Sequence, residues 1–146
     1  MRIGEAFIER LLASSDAADA VATLSGFWAH RARDGAMRMG LAEPEWQVQL
    51  ILIYTGEVWN GGHAQYHMNR GTELADPTCS ALTAVGLRGH AAVLRDVTGG
   101  AWSPAELARA DRAFDDLEAD VDAALLAHLR RHADTILLPE RRQSTG

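Results

Sequence analysis

The run from Val48 to Tyr54 is the densest apolar stretch of the chain, interrupted only by Gln49, and it presents apolar side chains on every side. Whatever element it forms has to be buried all round, so the remaining segments must be arranged about it. Seven such residues fit a buried strand as well as a helix, because periodicity does not separate the two over so short a run. The flanks decide for a helix. Glu43-Pro44-Glu45 puts proline and acid where a helix's first turn accepts them, and Asn60-Gly61-Gly62 supplies the left-handed conformations that end one.

The other segments carry helical patterns of their own. Ile3, Phe7, Leu11 and Leu12 lie on one face of an amphipathic helix over residues 3–13, and Ser14-Ser15-Asp16 stops it and caps the next. From Asp16 to Arg33 the set Ala17, Val21, Leu24, Phe27, Trp28 and Arg31 repeats the 3.6-residue period, while Gly35 to Glu43 reads as a loop. Asp76-Pro77 suits an N-cap and first helical residue, which predicts short helices over about 76–87 and 89–97. Ser103-Pro104-Ala105-Glu106 is a capping box with proline at the first position. It opens the longest predicted helix, 104–131, with Leu107, Ala110, Phe114, Leu117, Val121 and Leu125 inward. The expectation is an all-α fold, a single domain over 1–138 with about six or seven helices around the buried central one, and a mobile tail over 139–146.

Composition narrows the function classes. A net charge of −6 argues against direct nucleic-acid binding, which rests on cationic side chains neutralising phosphates. One cysteine, Cys79, leaves no internal disulfide, the N-terminus is amphipathic rather than signal-like, and no apolar run reaches the roughly 18–20 residues that span a bilayer. A cytoplasmic protein is the simplest expectation. The nucleotide-binding glycine motifs and the Gly-x-Ser-x-Gly nucleophile turn are missing.

His63 and His67 stand four apart, as in zinc-protease helices, but Ala64 occupies the place of the general-base glutamate. His128 and His132 repeat the spacing near a helix end. Each pair offers two ligands where zinc usually takes three or four, so no metal and no cofactor is expected. Cys79 near a helix start reads as a small buried hydrophobe rather than a reactive thiol.

Asn60-Gly61-Gly62 predicts a tight corner, with Gln65 and Asn69 four apart on the helix that follows and Glu57 one turn before it. Its polar side chains are expected to satisfy backbone groups freed at the bend. The pattern Glu57-x-x-Asn60-Gly61-Gly62-His63-x-Gln65-Tyr66-x-x-Asn69, with an Ala-Leu-rich helix after it, resembles the signature of a bacterial family of unknown function typified by a DNA-mimic protein. His63 stands where that family usually has phenylalanine, which favours packing for this side chain. The resemblance spans roughly residues 45–97. It implies an all-helical fold and, for the typifying member, an acidic surface that occupies the DNA-binding face of a transcription factor.

The charges of this chain are uneven. Residues 103–129 hold seven acids and two arginines, a balance of −5. On one continuous helix Asp111, Asp115, Glu118 and Asp122, spaced 4, 3 and 4, would stay within about 60° over roughly 16 Å. That stripe is sparser than a duplex backbone, at about one charge per 1.7 Å of axis, so acids such as Glu43, Glu45, Glu73 or Asp96 would have to join it. The expectation is a non-enzymatic regulatory protein whose acidic stripe binds a basic or DNA-binding protein. The competing expectation is a small-molecule site or enzyme at the Glu57–Asn69 corner, with Glu57 as acid or base beside His63 or His67.

Overall fold

Most of the helix signals read from the sequence set real boundaries in the computed structural model, which describes residues 3–31 and 40–137. Among those residues there are helices only: α1 Ile3–Leu12, α2 Ala17–Arg31, α3 Glu43–Arg70, α4 Ala75–Val85, α5 Arg88–Asp96, α6 Pro104–Asp115, α7 Val121–Arg131 and α8 Ala133–Leu137. The all-α expectation holds. The predicted loop from Gly35 lies largely outside the described residues, and the tail from Pro139 wholly so.

The capping chemistry explains where elements start. Asp16 accepts from the Asp19 N–H at 3.1 Å and opens α2, and the Ser103 hydroxyl accepts from the Glu106 N–H at 3.1 Å and opens α6. Helix α4 departs from expectation. Its N-cap is Leu74, without a side-chain bond, and Asp76 lies inside the first turn.

The predicted 104–131 helix is two helices. It breaks after Asp115, and Asp120 caps α7 by accepting from the Ala123 N–H at 3.0 Å. Leu117, in the break, lies so close to Gly89 of α5 that a Cβ built on that glycine would sit 2.8 Å from its Cδ2. Side-chain packing here outweighs the helical propensity of Leu-Glu-Ala, which is worth only tenths of a kcal/mol per residue. The separation into α6 and α7, with the short α8, raises the helix count above the six or seven expected.

The chain divides into two units, residues 1–48 with 120–146 and residues 49–119. In the first, α2 packs on α7 and α1 packs on α2, α7 and α8. Leu12, Val21, Leu24, Trp28, Leu125 and Leu129 are buried there, whereas Phe7 and Leu11 are only half-buried and Ile8 takes the inward place on α1. The Arg130 guanidinium donates to the Leu12 and Ser14 carbonyls, satisfying acceptors left open at the end of α1. His128 is buried on α7, its Nε2 2.7 Å from Gln47 Oε1.

The second unit holds most of α3 with α4, α5 and α6, α4 packing on α5 and α5 on α6. Leu50, Ile51 and Tyr54 are fully buried. Leu52 and Ile53 are half-buried, so the central helix keeps a partly open side instead of being enclosed all round.

Candidate functional site

Asn60-Gly61-Gly62 ends one helical segment, as expected, and turns the chain directly into the next. Helix α3 spans Glu43–Arg70 as two helical segments across a kink, where Gly61 and Gly62 leave helical geometry at φ −157°, ψ 19° and φ 75°, ψ −177°. Only Gly62 has a positive φ, in a region nearly closed to residues with a Cβ. Gly61 is needed for space, since a Cβ there would come within 2.9 Å of the Gln65 Cβ and nearer still to its amide.

A bend of this kind frees backbone N–H groups at the start of the following helical segment. Asp111 of α6 takes one of them: its Oδ1 accepts from the His63 N–H at 2.8 Å and faces His63 Nδ1 at 2.7 Å. A Cβ on Gly62 would lie 2.5 Å from Asp111 Oδ2. The carboxylate therefore occupies the space that glycine leaves.

His63 is fully buried and its Nε2 lies 2.8 Å from the Tyr54 hydroxyl. Burial holds its pKa below the ordinary histidine range against the opposing pull of Asp111. A neutral ring bonded in this way carries its proton on Nδ1, donates it to Asp111 and accepts from Tyr54. Tyr54 is also fully buried, its pKa pushed far up, first by desolvation. Carboxylate, imidazole and hydroxyl are ordered as in a nucleophilic relay. The terminal hydroxyl nonetheless has no exposed surface from which to reach a substrate. Around the relay, Tyr54 meets Tyr66 at 5.1 Å and Phe114 at 5.8 Å between ring centroids, and His90 meets Phe114 at 5.3 Å.

On the other side of the bend Glu57 gathers the remaining polar residues of the motif. Its Oε2 accepts from Gln65 Nε2 at 3.0 Å and Asn69 Nδ2 at 2.8 Å, while Arg70 approaches Oε1 at 3.5 Å. The Gln65 bond, then the Asn69 bond, hold the Glu57 carboxyl below its usual range. The expectation that these side chains serve backbone groups is corrected. They bond to one another across the bend, and Asp111 supplies the backbone cap. Asn60 is exposed.

The two histidines of the corner do not converge. His67 stacks on Trp102, centroids 4.4 Å apart and planes 14° from parallel, with no partner in hydrogen-bonding geometry for either ring nitrogen. Burial lowers its pKa, His63 adds to that, and nearby Val97 and Gly71 backbone groups oppose it. His128 and His132 lie 4.7 Å apart between centroids. Among the described residues no group of three His, Cys, Asp or Glu side chains comes together as metal ligands require. Cys79 is buried, and burial pushes its thiol pKa up.

The acidic stripe is redistributed. Asp111 and Asp115 are on α6, Glu118 is in the break and Asp122 is on α7, so no single helix face carries all four. Asp111 is engaged with His63 and its side chain is 38% exposed. Asp122 is half-buried, and burial, then Asp120, raises its pKa. Asp115, Asp116 and Glu118 are exposed, and their carboxylates make no ion pair or side-chain hydrogen bond among the described residues. A cavity of about 280 Å³ lies between α5 and α6, lined by Val93, Val97 and Ala110 with Asp96, Glu106 and Arg109, and it contains no residue of the corner.

The sequence reading missed Asp111 as the partner of His63, 48 residues away. One signal was present: Leu107, Asp111 and Phe114 are spaced 4 and 3, which puts this carboxylate on the inward face. Tyr54 carried no such signal.

Residues 39–132 match the family described as DMP19-like protein. No curated protein and no solved structure matches the chain. No helix among the described residues is long and apolar enough to cross a membrane.

Proposed function

The chain belongs to the DMP19-like protein family, and on that premise we propose that it is a non-enzymatic regulator that acts in the cytoplasm as a DNA mimic, presenting exposed carboxylates to a basic DNA-binding protein. The observation that carries this reading is the set Asp115, Asp116 and Glu118 at and just after the end of α6, exposed and without an ion pair among the described residues, in a chain of net charge −6. Carboxylates that form no ion pair among the described residues keep their field available to an incoming cation. Of the four stripe residues, Asp115 and Glu118 belong to the binding surface, Asp111 is structural, and Asp122 lies in the other unit and is not assigned to that surface. The motif residues Glu57, Asn60, Gly61, Gly62, Gln65 and Asn69 build the bend that holds α6 in place.

The test is capture of partners from lysate by the wild-type chain and by the Asp115→Asn, Glu118→Gln double variant, across a salt series. Both substituted side chains are exposed, so stability should change by no more than about 0.5 kcal/mol. Binding should weaken in the variant and fall steeply with salt, since exposed charge pairs are screened beyond about 8–10 Å. A variant that binds like wild type, or a complex indifferent to salt, refutes the reading.

A further inference from the structure

Trp59 is 62% exposed on α3, an unusual position for the side chain with the largest apolar area. It is not loose. Its ring meets Phe114 edge-to-face at 6.0 Å, and Phe114 is buried among Tyr54, His63 and His90. An aromatic braced from behind and open in front loses little conformational freedom on binding, which is how interface anchors work. The residues directly after Phe114 are the exposed acids Asp115 and Asp116. A positive group drawn to Asp115 is thereby brought to the residue next to the one that braces the indole. Of the two cationic side chains, the planar guanidinium stacks on indole and pairs with carboxylates bidentately, whereas ammonium does neither as well.

We propose that Trp59 anchors an arginine side chain of the basic protein partner, with Asp115 and Asp116 as its counter-charges. This rests on the acidic-surface reading above and adds to it a preference for arginine over lysine.

The test titrates the full chain, labelled with nitrogen-15, with an octa-arginine and then an octa-lysine peptide. The chain's four tryptophans give separable indole N–H signals, and Trp59→Phe identifies the one at issue. The arginine peptide should shift the Trp59 signal. Trp59→Ala should weaken arginine-peptide binding about three- to tenfold and lysine-peptide binding less, with Trp59→Phe in between. Circular dichroism should match wild type for both variants. Equal binding by wild type and Trp59→Ala, or an unmoved Trp59 signal during saturation, overturns the anchor; if Asp115→Asn, Glu118→Gln still weakens binding, the acidic surface survives. Failure of both peptides to bind wild type at low salt overturns the acidic surface and the anchor together. A Trp59 signal that moves on concentrating the protein alone assigns the ring to a second copy of the chain, which also overturns the proposal.

Discussion

Substituting Gly62 by alanine separates two costs that glycine avoids at the bend. The first is conformational. With φ 75° and ψ −177°, Gly62 lies where a Cβ-bearing residue is strained by about 1–3 kcal/mol. The second is spatial: the new Cβ would meet Asp111 Oδ2 at 2.5 Å, so the carboxylate must move away from the His63 N–H and Nδ1 that it now holds at 2.8 and 2.7 Å. Losing hydrogen bonds of this charged kind costs about 1.5–3 kcal/mol. Together the expected destabilisation is about 3–5 kcal/mol. Gly86→Ala supplies the control, because Gly86 has φ 93° and open space around it, leaving only a conformational cost of about 1–2 kcal/mol. Urea unfolding of both variants measures the difference. In an Asp111→Ala background the spatial cost disappears, so the double-mutant cycle should return a coupling of about 2 kcal/mol. If Gly62→Ala costs no more than Gly86→Ala, or if the cycle shows no coupling, the account of the bend is wrong.

Acid should loosen the fold through its histidines. Burial holds His63, His67, His90 and His128 below the ordinary value of 6.5, with His128 down to about 4. Because these folded-state values lie below the unfolded one, their contribution is complete above pH 6.5 and is lost as pH falls below it, for His128 through about 4. His128 alone accounts for up to about 3 kcal/mol, so His128→Leu should flatten the dependence of the urea midpoint on pH between 7 and 4.5; an unchanged slope removes His128 from the explanation. Asp120→Ala removes the N-cap of α7 and should cost about 1 kcal/mol in thermal or urea unfolding. No measurable cost would mean that the break after Asp115 does not depend on that cap.

The parts of the fold that were legible in the sequence are those set by local chemistry. Caps at Asp16 and Ser103 and proline at Pro44 act within a few residues, so their spacing suffices to find them. The break between α6 and α7 was not legible, because Leu117 and Gly89 approach each other only after folding and no glycine or proline marks the site. The bend was visible as a corner, but its chemistry was assigned to the wrong groups. Glu57, Gln65 and Asn69 have enough polar atoms to satisfy one another, and the carboxylate that serves the backbone comes from 48 positions away. The same change of role altered the acidic stripe: Asp111 shares its spacing with Asp115 and Glu118 and also with Leu107 and Phe114, and its carboxylate is engaged at the bend.

The two units differ in how they draw on the chain. Residues 49–119 form an unbroken length, whereas the other unit joins 1–48 to 120–146 and ties the end of α1 to Arg130. During synthesis the middle stretch has all its packing partners once residue 119 has emerged, while α1 and α2 must wait, with α1's last carbonyls still hydrated, until α7 follows. The glycine bend and its carboxylate cap belong to that early-completed stretch. A defect there would therefore be felt before α2 can meet α7.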